Sequence, residues 1–381
     1  MTPNHQTHLS RKNRIDLGSF YTPEKYVLIV KDWLLNHGIE SSSVIMDPSC
    51  GYGAFFQLIE NLPNNYYVGN DIDKKALDRV GANFPKVKTY NENILSDISR
   101  NKYDINDNAQ LIIVGNPPYN DVTSQINSST KKHSMAADAD VKTRDLGLSS
   151  LLVYNKLQAD YVAVLHPLSY LIKKANFNAA GRFFKNYSLL ENIIFSSQEF
   201  DGTSSFSGFP VVVGLYKRTP NNGLTFNDVL KTKFKTTDGQ IFSVDMFDYV
   251  TDYISKYPST YRYKPEILFY TLRDINALRR SRTFIKERVS NAVDVDPKKI
   301  AYYCYIDCFK DAIDNVPYYF GNFNIPFKKD TFGSVARDFI AVSAYKHPEI
   351  FTRATKPSRE AYFRVNNYIN NVLGTRKELI I

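Results

Sequence analysis

A polar tip that carries one aromatic ring follows an apolar run in the first third of the chain. The run Leu111-Ile112-Ile113-Val114 is typical of a buried strand, and Gly115 leads from it into Asn116-Pro117-Pro118-Tyr119. The two prolines remove backbone donors, so the nearby carbonyl oxygens stay free to accept hydrogen bonds. The Asn116 amide and the Pro117 carbonyl can then converge on an amino group, with Tyr119 against the flat ring that carries it. Methyl transfer to an amino nitrogen suits this arrangement best, although Asn-Pro-Pro is also ordinary turn sequence.

A glycine-containing turn stands earlier in the chain. Val44-Ile45-Met46 predicts a short strand, and it is closed by Asp47-Pro48-Ser49-Cys50-Gly51-Tyr52-Gly53 before a helix over residues 54–60. A strand, a glycine turn and a helix start form a cradle for a nucleotide or cofactor, because glycine lets the backbone approach the ligand closely. The spacing is neither that of the dinucleotide fingerprint nor that of a P-loop.

An acidic residue ends the second predicted strand, which covers residues 66–70. Asp71 at this position suits a grip on ribose hydroxyls, and Ile72 beside it can pack on an adenine face. Asp73 is expected to cap the following helix, and a capping role is also the alternative for Asp71.

These motifs, in this order, resemble the amino-group DNA methyltransferases, which use S-adenosylmethionine. Asn-Pro-Pro-Tyr is the form found in the N6-adenine enzymes, whereas Ser-Pro-Pro-Tyr is more typical of N4-cytosine enzymes. A segment ending in Tyr-Thr-Pro at residues 17–23 precedes the glycine turn. With a C-terminal recognition region, this order resembles the γ group, to which the TaqI-type enzymes belong. The resemblance covers about residues 15–217.

The resemblance implies a set of site residues. The catalytic residues are expected to be Asn116, Pro117, Pro118 and Tyr119. The cofactor is expected to contact Tyr21, Thr22, Pro23, Asp47, Pro48, Cys50, Gly51, Gly53, Asp71, Ile72, Asn93 and Ile94. The family often has an acid where this chain has Asn93. The second face of a flipped adenine is expected to stack on an aromatic ring, with Phe200 and Phe206 as the first candidates and Phe209 as the third. No metal is implied.

Strand and helix signals alternate over the first two hundred residues. Strands are predicted at 44–46, 66–70, 87–90, 111–114, 161–165, 192–196 and 211–216, and helices at 23–36, 54–60, 74–84, 148–159 and 176–187. Such alternation predicts an α/β fold with a mostly parallel sheet covered on both faces. The resemblance implies the seven-stranded sheet of the S-adenosylmethionine-dependent methyltransferases. The alternation stops near residue 220, so we predict a catalytic domain over residues 1–220 and a smaller α+β DNA-recognition domain over residues 221–381.

The C-terminal part carries most of the positive charge. The net charge is +9, and residues 221–381 hold 25 Lys and Arg against 18 Asp and Glu, a net of +7. An excess of this sign suits contact with DNA phosphates, and Arg279, Arg280 and Arg282 are the candidate contacts. A solvated basic face has the same composition, and no recognised DNA-binding motif appears. The expected partners are double-stranded DNA and a restriction endonuclease that acts on the same site, with a monomer favoured.

Other features set the cellular context. Three cysteines without a secretory signal predict a reduced, cytoplasmic protein, and no apolar run approaches the length of a membrane span. Cys304 and Cys308 are interpreted as core residues because no second ligand pair accompanies them. His166, at a predicted strand end, is expected to be structural. The polar segment 120–147 is expected to be mobile and to order over the cofactor or the DNA.

The sequence and the resemblance together predict methylation of N6 of a flipped-out adenine, by the modification enzyme of a restriction system. Methylation of an RNA base or of a protein glutamine side chain is the alternative, and N4 of cytosine stays open as the alternative DNA target.

Overall fold

Alternating apolar strands assemble into one large sheet. The computed structural model describes residues 20–119, 136–200, 208–264, 266–272, 274–352 and 354–374, and it divides into two units, Met1–Ser243 and Val244–Ile381. The strands of the sheet are β1 Val44–Asp47, β2 Tyr66–Asn70, β3 Val87–Tyr90, β4 Leu111–Gly115, β5 Tyr161–Pro167, β6 Tyr187–Ser196 and β7 Pro210–Arg218. Their spatial order is β3-β2-β1-β4-β5-β7-β6. Strands β1 to β5 are parallel, and β7 runs antiparallel between β5 and β6.

Helices accompany these strands in the first unit. They are α1 Glu24–Asn36, α2 Lys74–Asn83, α3 Leu146–Lys156, α4 Ser169–Ile172, α5 Lys174–Ala179, α6 Gly181–Asn186 and α7 Phe226–Lys231, with 3₁₀ segments at Ala54–Glu60, Asn101–Tyr103 and Ser197–Glu199. Strands β1, β4 and β5 are buried along almost their whole length, as in a parallel sheet covered on both faces. The predicted α/β fold and the seven predicted strands are confirmed.

Three predicted elements differ in detail. Residues 54–60 form a 3₁₀ helix, which begins after the left-handed Gly53 (φ 80°) and has no side-chain cap. The helix predicted over residues 176–187 is divided between α5 and α6, because Ala180 leaves helical geometry with ψ of 21°. Strand β6 begins five residues before its predicted start.

The first unit extends beyond the predicted boundary at residue 220. Gly223 lies against α6: its N–H donates to the Lys185 carbonyl at 2.9 Å, and a Cβ atom here would lie 2.2 Å from the Phe184 oxygen. Further on, the Asn192 amide oxygen of β6 accepts from Lys235 N–H at 3.2 Å. Residues after the predicted boundary at residue 220 are therefore bonded to the first unit. They include the hairpin of β8 Phe234–Lys235 and β9 Ile241–Phe242.

The second unit contains both helices and short strands. Its helices are α8 Ile275–Arg280, α9 Ile300–Asp311, α10 Lys329–Lys346 and α11 Arg359–Leu373. Its strands are β10 Asp248–Tyr249, β11 Leu268–Tyr270, β12 Phe284–Ile285, β13 Ala292–Asp294 and β14 Pro326–Phe327, with 3₁₀ segments at Val244–Met246, Val250–Asp252, Pro297–Lys299, Ile313–Asn315 and Tyr318–Phe320. Strand β11 lies between β12 and β13 in an antiparallel sheet, and β10 pairs with β14.

A buried carboxylate organises the interior of this second unit. Asp307 of α9 is 2 % exposed and accepts hydrogen bonds from Thr283 Oγ1 at 2.6 Å, Ser343 Oγ at 2.9 Å and His347 Nε2 at 3.0 Å. Lys346 Nζ lies 3.1 Å away. Burial opposes the charge, but the His347 bond and the Lys346 charge outweigh it and lower the pKa of Asp307 to about 2. The bond to Asp307 in turn raises the pKa of His347.

The cysteines are core residues. Cys304 and Cys308 lie on α9, are at most 1 % exposed, and form no disulfide. Burial raises the pKa of both thiols. Within the described ranges, no group of three His, Cys, Asp or Glu side chains could hold a metal, and no helix is long and apolar enough to cross a membrane.

Replacement of the buried carboxylate is expected to destabilise the protein. Asp307→Ala should lower the free energy of unfolding by about 3 kcal/mol, because it leaves Lys346 and His347 without their buried counter-charge. Urea unfolding followed by circular dichroism measures this change. Glu287→Ala removes an exposed acid of the same unit and should cost less than about 0.5 kcal/mol.

The loss of stability caused by Asp307→Ala should depend on pH. Because its pKa is lowered, ionised Asp307 stabilises the fold at pH values above 3.8, the ordinary pKa of this group. That contribution is lost as the pH falls toward 2. Because its pKa is raised, protonated His347 stabilises the fold at pH values below 6.5. That contribution is lost as the pH rises through the raised pKa of His347. The Asp307→Ala deficit should therefore be largest between about pH 4 and about pH 6.5. A deficit that does not change with pH would contradict this assignment.

Candidate active site

Three predicted loops meet at one edge of the sheet. Strand β1 lies between β2 and β4, and all three are parallel, so their carboxyl ends lie side by side. The glycine turn over residues 47–53 follows β1, Asp71 follows β2, and the tip over residues 116–119 follows β4. The sheet therefore brings the predicted cofactor residues and the predicted catalytic residues together.

Asn70 joins two of the loops, and its role was not predicted from the sequence. Its side chain is 1 % exposed and donates to the Pro48 oxygen at 3.0 Å and to the Glu92 oxygen at 3.1 Å. Its amide oxygen accepts from Glu92 N–H at 3.1 Å. One buried amide thus fixes the turn after β1 to the turn after β3. A lone asparagine at the last position of an apolar strand is the signal that could have shown this.

Asp71 ties the glycine turn to the end of β2. Its Oδ2 accepts from Gly51 N–H at 2.8 Å, and its Oδ1 accepts from Asp73 N–H at 2.9 Å. Burial raises the pKa of Asp71 in spite of these bonds. Each carboxylate oxygen keeps a further lone pair for hydroxyl donors. Ile72 is 52 % exposed beside it, and Asp73 caps α2 through Lys75 N–H at 3.0 Å, as predicted.

Asp47 links the glycine turn to the catalytic tip. Its carboxyl is 2 % exposed and accepts from Ser49 N–H at 3.1 Å. A Cβ atom on Gly115 would lie 3.2 Å from Asp47 Oδ1, so the carboxyl lies against the residue that precedes Asn116. Burial raises the pKa of Asp47 to about 8; the Ser49 bond opposes this rise and the nearby Asp71 charge adds to it. Asp47 is therefore mostly protonated at neutral pH.

The remainder of the turn is fixed by backbone geometry. Cys50 N–H donates to the Asn70 oxygen at 2.9 Å, and Pro48 supplies the oxygen that Asn70 binds. Gly53 has φ of 80°, and a Cβ atom there would lie 2.6 Å from the Phe56 ring. Glycine at this position therefore permits both the left-handed turn and the close packing beneath it.

The loop after β3 uses its asparagine internally. Asn93 Nδ2 donates to the Ala136 oxygen at 2.6 Å, and Asn93 Oδ1 accepts from Leu95 N–H at 3.0 Å. Ile94 is 9 % exposed. The contacts predicted between this loop and a cofactor remain predictions, and the Asn93 amide already has a structural partner at each end.

The segment before α1 packs close to the glycine turn. Gln57 Nε2 lies 3.5 Å from the Tyr21 hydroxyl, and burial raises the pKa of Tyr21. Thr22 is 3 % exposed, and the Pro23 carbonyl accepts from Tyr26 N–H at 3.0 Å at the start of α1. Residues 17–19 of the predicted motif lie outside the described residues.

At the tip, the Asn116 amide is held in one orientation. Its Nδ2 donates to the Phe20 carbonyl at 3.1 Å, and its Oδ1 accepts from the Tyr119 hydroxyl. Pro117 is buried, whereas Asn116, Pro118 and Tyr119 are half-buried. Burial raises the pKa of Tyr119 well above its ordinary value, so its hydroxyl stays protonated. With its nitrogen bound to Phe20, Asn116 can present only its oxygen to an amino group.

The aromatic candidates for base stacking differ in accessibility. Phe200 is 2 % exposed, since Phe20 stacks on it at 5.8 Å between centroids and Phe195 meets it edge-on at 5.3 Å. This packing does not support the stacking role predicted for Phe200, because the ring belongs to the core. Phe206 lies outside the described residues, and Phe209 is partly buried against the core.

His166 is structural, as expected. It is fully buried, its Nε2 lies 2.7 Å from the Tyr216 hydroxyl, and its Nδ1 lies 3.0 Å from the Pro167 oxygen. Burial lowers the pKa of His166 to about 4, so the ring is neutral.

The polar segment after the tip is only partly described. Residues 120–135 lie outside the described residues. Beyond them, Asp138 N–H donates to the Leu95 oxygen at 2.8 Å, and Val141 is 1 % exposed. Residues 136–147 are thus bonded to the first unit and differ in this respect from the mobile segment expected from sequence.

The three arginines of the second unit are not equivalent. Arg279 is paired with Asp314 and donates to the Ile313 oxygen at 2.9 Å, so it has a structural use that the sequence did not reveal. Arg280 and Arg282 are exposed, and Arg282 lies over the Tyr270 ring at 5.8 Å.

The sheet order and the loops at its carboxyl edge define the first unit as having the fold of the S-adenosylmethionine-dependent methyltransferases. Residues 7–194 match the family model of the N-6 DNA methylases. The matched residues lie within the first unit, so this unit is similar to the N-6 DNA methylases, and its cofactor is S-adenosylmethionine.

Solved structures of similar fold come from several organisms. The modification subunit of a type I restriction enzyme from Vibrio vulnificus is 16% identical over 59% of this chain and 49% of its own, with a TM-score of 0.41. The methyltransferase subunit of a type I restriction-modification system from Streptococcus thermophilus is 16% identical over 60% and 48%, with a TM-score of 0.39. A protein of Pyrococcus horikoshii described as an RNA methyltransferase is 15% identical over 54% and 89%, with a TM-score of 0.35. The chain spans about half the length of the two restriction subunits. No curated protein matches it.

The residues at the sheet edge fit this cofactor. Asp71 has oxygen lone pairs for ribose hydroxyls, and the exposed Ile72 beside it offers an apolar surface for adenine. Gly51 adds no side chain to the turn beside Asp71, to which its N–H donates. Asp47 supplies a carboxyl that can become an anion for the positive charges of the cofactor.

Cofactor binding is expected to strengthen as the pH rises toward 8. A cationic ligand favours ionised Asp47, so the proton that this residue holds at lower pH must leave on binding. Below the pKa, the affinity should gain up to about tenfold per pH unit. Calorimetric titration at about pH 6.5 and about pH 8.5 measures this gain.

The matched control is Asp47→Asn, whose amide has no proton to release. The amino group of the cofactor also titrates, so the informative quantity is the difference between the pH profiles of wild type and variant. Parallel profiles for the two proteins would show that Asp47 does not couple to binding.

Proposed function

We propose that this protein transfers a methyl group from S-adenosylmethionine to N6 of an adenine in DNA. The observation that carries the proposal is the held amide of Asn116, which presents an oxygen acceptor between Phe20 and Tyr119 and beside the glycine turn. An exocyclic amine, with two hydrogens and a nearby flat ring, is the group that this arrangement recognises.

The tip acts on the geometry of the amine. Asn116 Oδ1 and the Pro117 carbonyl oxygen accept its two hydrogens, which draws the nitrogen toward a tetrahedral shape and frees its lone pair. S-adenosylmethionine, when bound, supplies a methyl group on a positively charged sulfur that leaves as a neutral thioether when the new N–C bond forms. Positioning is then the main catalytic task of the protein.

Proton removal needs no strong base at the tip. The methylated amine is a strong acid and releases its extra proton to water. Tyr119 stays protonated because its pKa is raised, so it acts as a hydrogen-bond donor to Asn116 and as a stacking surface. Its ring would cover one face of an adenine that has rotated out of the helix, at a cost of roughly a few kcal/mol.

The second unit is proposed to be the DNA-recognition domain. Its exposed Arg280 and Arg282 suit phosphate contacts, whereas Arg279 is engaged by Asp314. The family further suggests a cytoplasmic modification enzyme that protects DNA from a restriction endonuclease of the same specificity.

Tritiated S-adenosylmethionine offered with DNA, RNA or protein tests the substrate class. Label only in RNA or protein would overturn the proposal.

Removal of the acceptor should abolish methyl transfer. Asn116→Ala is expected to lower the rate at least about a thousandfold, because the amine loses the bond that reshapes it, while cofactor affinity stays within about twofold. Single-turnover transfer of tritium to DNA and calorimetric cofactor binding measure the two effects. Asn83→Ala, an exposed asparagine at the end of α2, is the control and should be fully active. An active Asn116→Ala enzyme would refute the mechanism.

The two functions of Tyr119 should separate by substitution. Tyr119→Phe keeps the ring and loses the bond to Asn116, so a loss of about tenfold in kcat is expected with little change in KM. Tyr119→Ala also loses the stacking surface and should weaken base binding by about tenfold or more. Steady-state kinetics measure both. Equal defects in the two variants would contradict a stacking role for the ring.

A further inference from the structure

An exposed segment of the second unit combines tyrosines with cations. Residues 256–264, here called the aromatic–basic segment, precede β11 and form no strand or helix. Tyr257 is 78 % exposed and Tyr261 is 63 % exposed. Exposed tyrosine rings are enriched at surfaces that bind partners.

The segment is anchored rather than loose. At its start, Ser255 N–H donates to the Tyr303 hydroxyl at 3.0 Å, and the Thr271 hydroxyl bonds to the Lys256 carbonyl. Near its end, Tyr261 and Tyr263 contact each other edge to face at 4.7 Å between centroids. The exposed rings are therefore presented from a fixed backbone, which lowers the entropy cost of binding.

The charges within the segment are all positive. Lys256, Arg262 and Lys264 are its formal charges, and no Asp or Glu falls among residues 255–264. Lys256 lies 3.7 Å from Asp252, so its charge is locally matched. Lys264 is exposed and Arg262 is half-exposed.

Arg262 is not needed to neutralise its buried neighbour. It lies 3.3 Å from Asp294, but Arg288 already grips that carboxylate with two bonds of 2.8 Å. The Asp294 side chain is 2 % exposed and presents no negative charge to a partner. Arg262 and Lys264 therefore supply the positive charge of the segment, beside two exposed acids that have partners of their own: Asp252 pairs with Lys256, and Glu266 pairs with Arg288.

Exposed aromatic rings interleaved with cations fit nucleic acid whose bases are not stacked. Flat rings stack on any unpaired base, and the cations contact the phosphates between bases. We propose that the aromatic–basic segment binds DNA, with Tyr257 and Tyr261 stacking on unpaired bases and Arg262 and Lys264 contacting phosphates. This inference rests on the proposed function, in which the second unit is the DNA-recognition domain.

Fluorescence anisotropy with a labelled single strand of about 30 nucleotides tests the proposal on the full-length protein. The double variant Tyr257→Ala with Tyr261→Ala should bind at least about tenfold more weakly than wild type. Tyr257→Phe with Tyr261→Phe keeps the rings and should bind as wild type. Phe363→Ala, which removes another exposed ring (65 % exposed) of the same unit, is the matched control and should have no effect.

A second measurement addresses the charges. Lys264→Gln should lower the slope of the logarithm of affinity against the logarithm of salt concentration by about 0.7, as expected for one lost phosphate contact to a single strand. Calorimetric binding of S-adenosylmethionine should be unchanged in every variant.

The outcomes separate this inference from the proposed function. Loss of binding in the alanine pair, with the phenylalanine pair and Phe363→Ala normal, supports it. If the alanine pair binds the single strand as tightly as wild type does, the segment does not bind DNA. The methyltransferase proposal then still stands. A wild-type protein that binds no DNA and methylates only protein overturns both.

Discussion

The buried carboxyl of Asp47 is the contact on which the candidate site depends. It lies between the N–H of Ser49 in the glycine turn and Gly115, the residue before the predicted catalytic tip. The turn that would hold a methyl donor and the tip that would hold an acceptor are thereby packed against the same group. Burial raises the pKa of Asp47 to about 8, so the carboxyl is mostly neutral before a ligand binds. A cationic ligand would favour the ionised form of Asp47 instead.

Around this contact, backbone and side-chain amides fix the loops. Asn70 connects the turns after β1 and β3, and Asp71 connects the glycine turn with the end of β2. Asn116 is held in the same manner, through the Phe20 carbonyl on one side and Tyr119 on the other. The site is thus preorganised by hydrogen bonds within the protein, which suits a reaction in which positioning is the main demand.

Much of the first unit could be predicted from sequence, because its strands are apolar runs that end in turn residues with defined geometry. The site residues were expected from the resemblance, and the observed strand order brings their loops together because loops after adjacent parallel strands meet at one edge. The sequence could not show that the Phe200 ring is covered or that the Asn93 amide is used internally, because both depend on tertiary contacts. Asn70 was overlooked for the same reason: its partners, Pro48 and Glu92, are distant in sequence.

The second unit was harder to predict, because its strands are only two or three residues long, too short to show an alternating apolar pattern. The excess of positive charge predicted a DNA-binding surface in this unit. However, Arg279 is paired with Asp314, and Lys346 and His347 are bound to the buried Asp307. A count of basic residues therefore does not locate the face that meets a partner.

The most direct measurement of the central claim is mass spectrometry of nucleosides from DNA incubated with the protein and S-adenosylmethionine. The acceptor at Asn116 predicts a methylated exocyclic amine, and the resemblance of the Asn-Pro-Pro-Tyr tip makes the expected product N6-methyladenine. Methylation confined to cytosine, or DNA left unmodified while RNA or protein is methylated, would contradict the account.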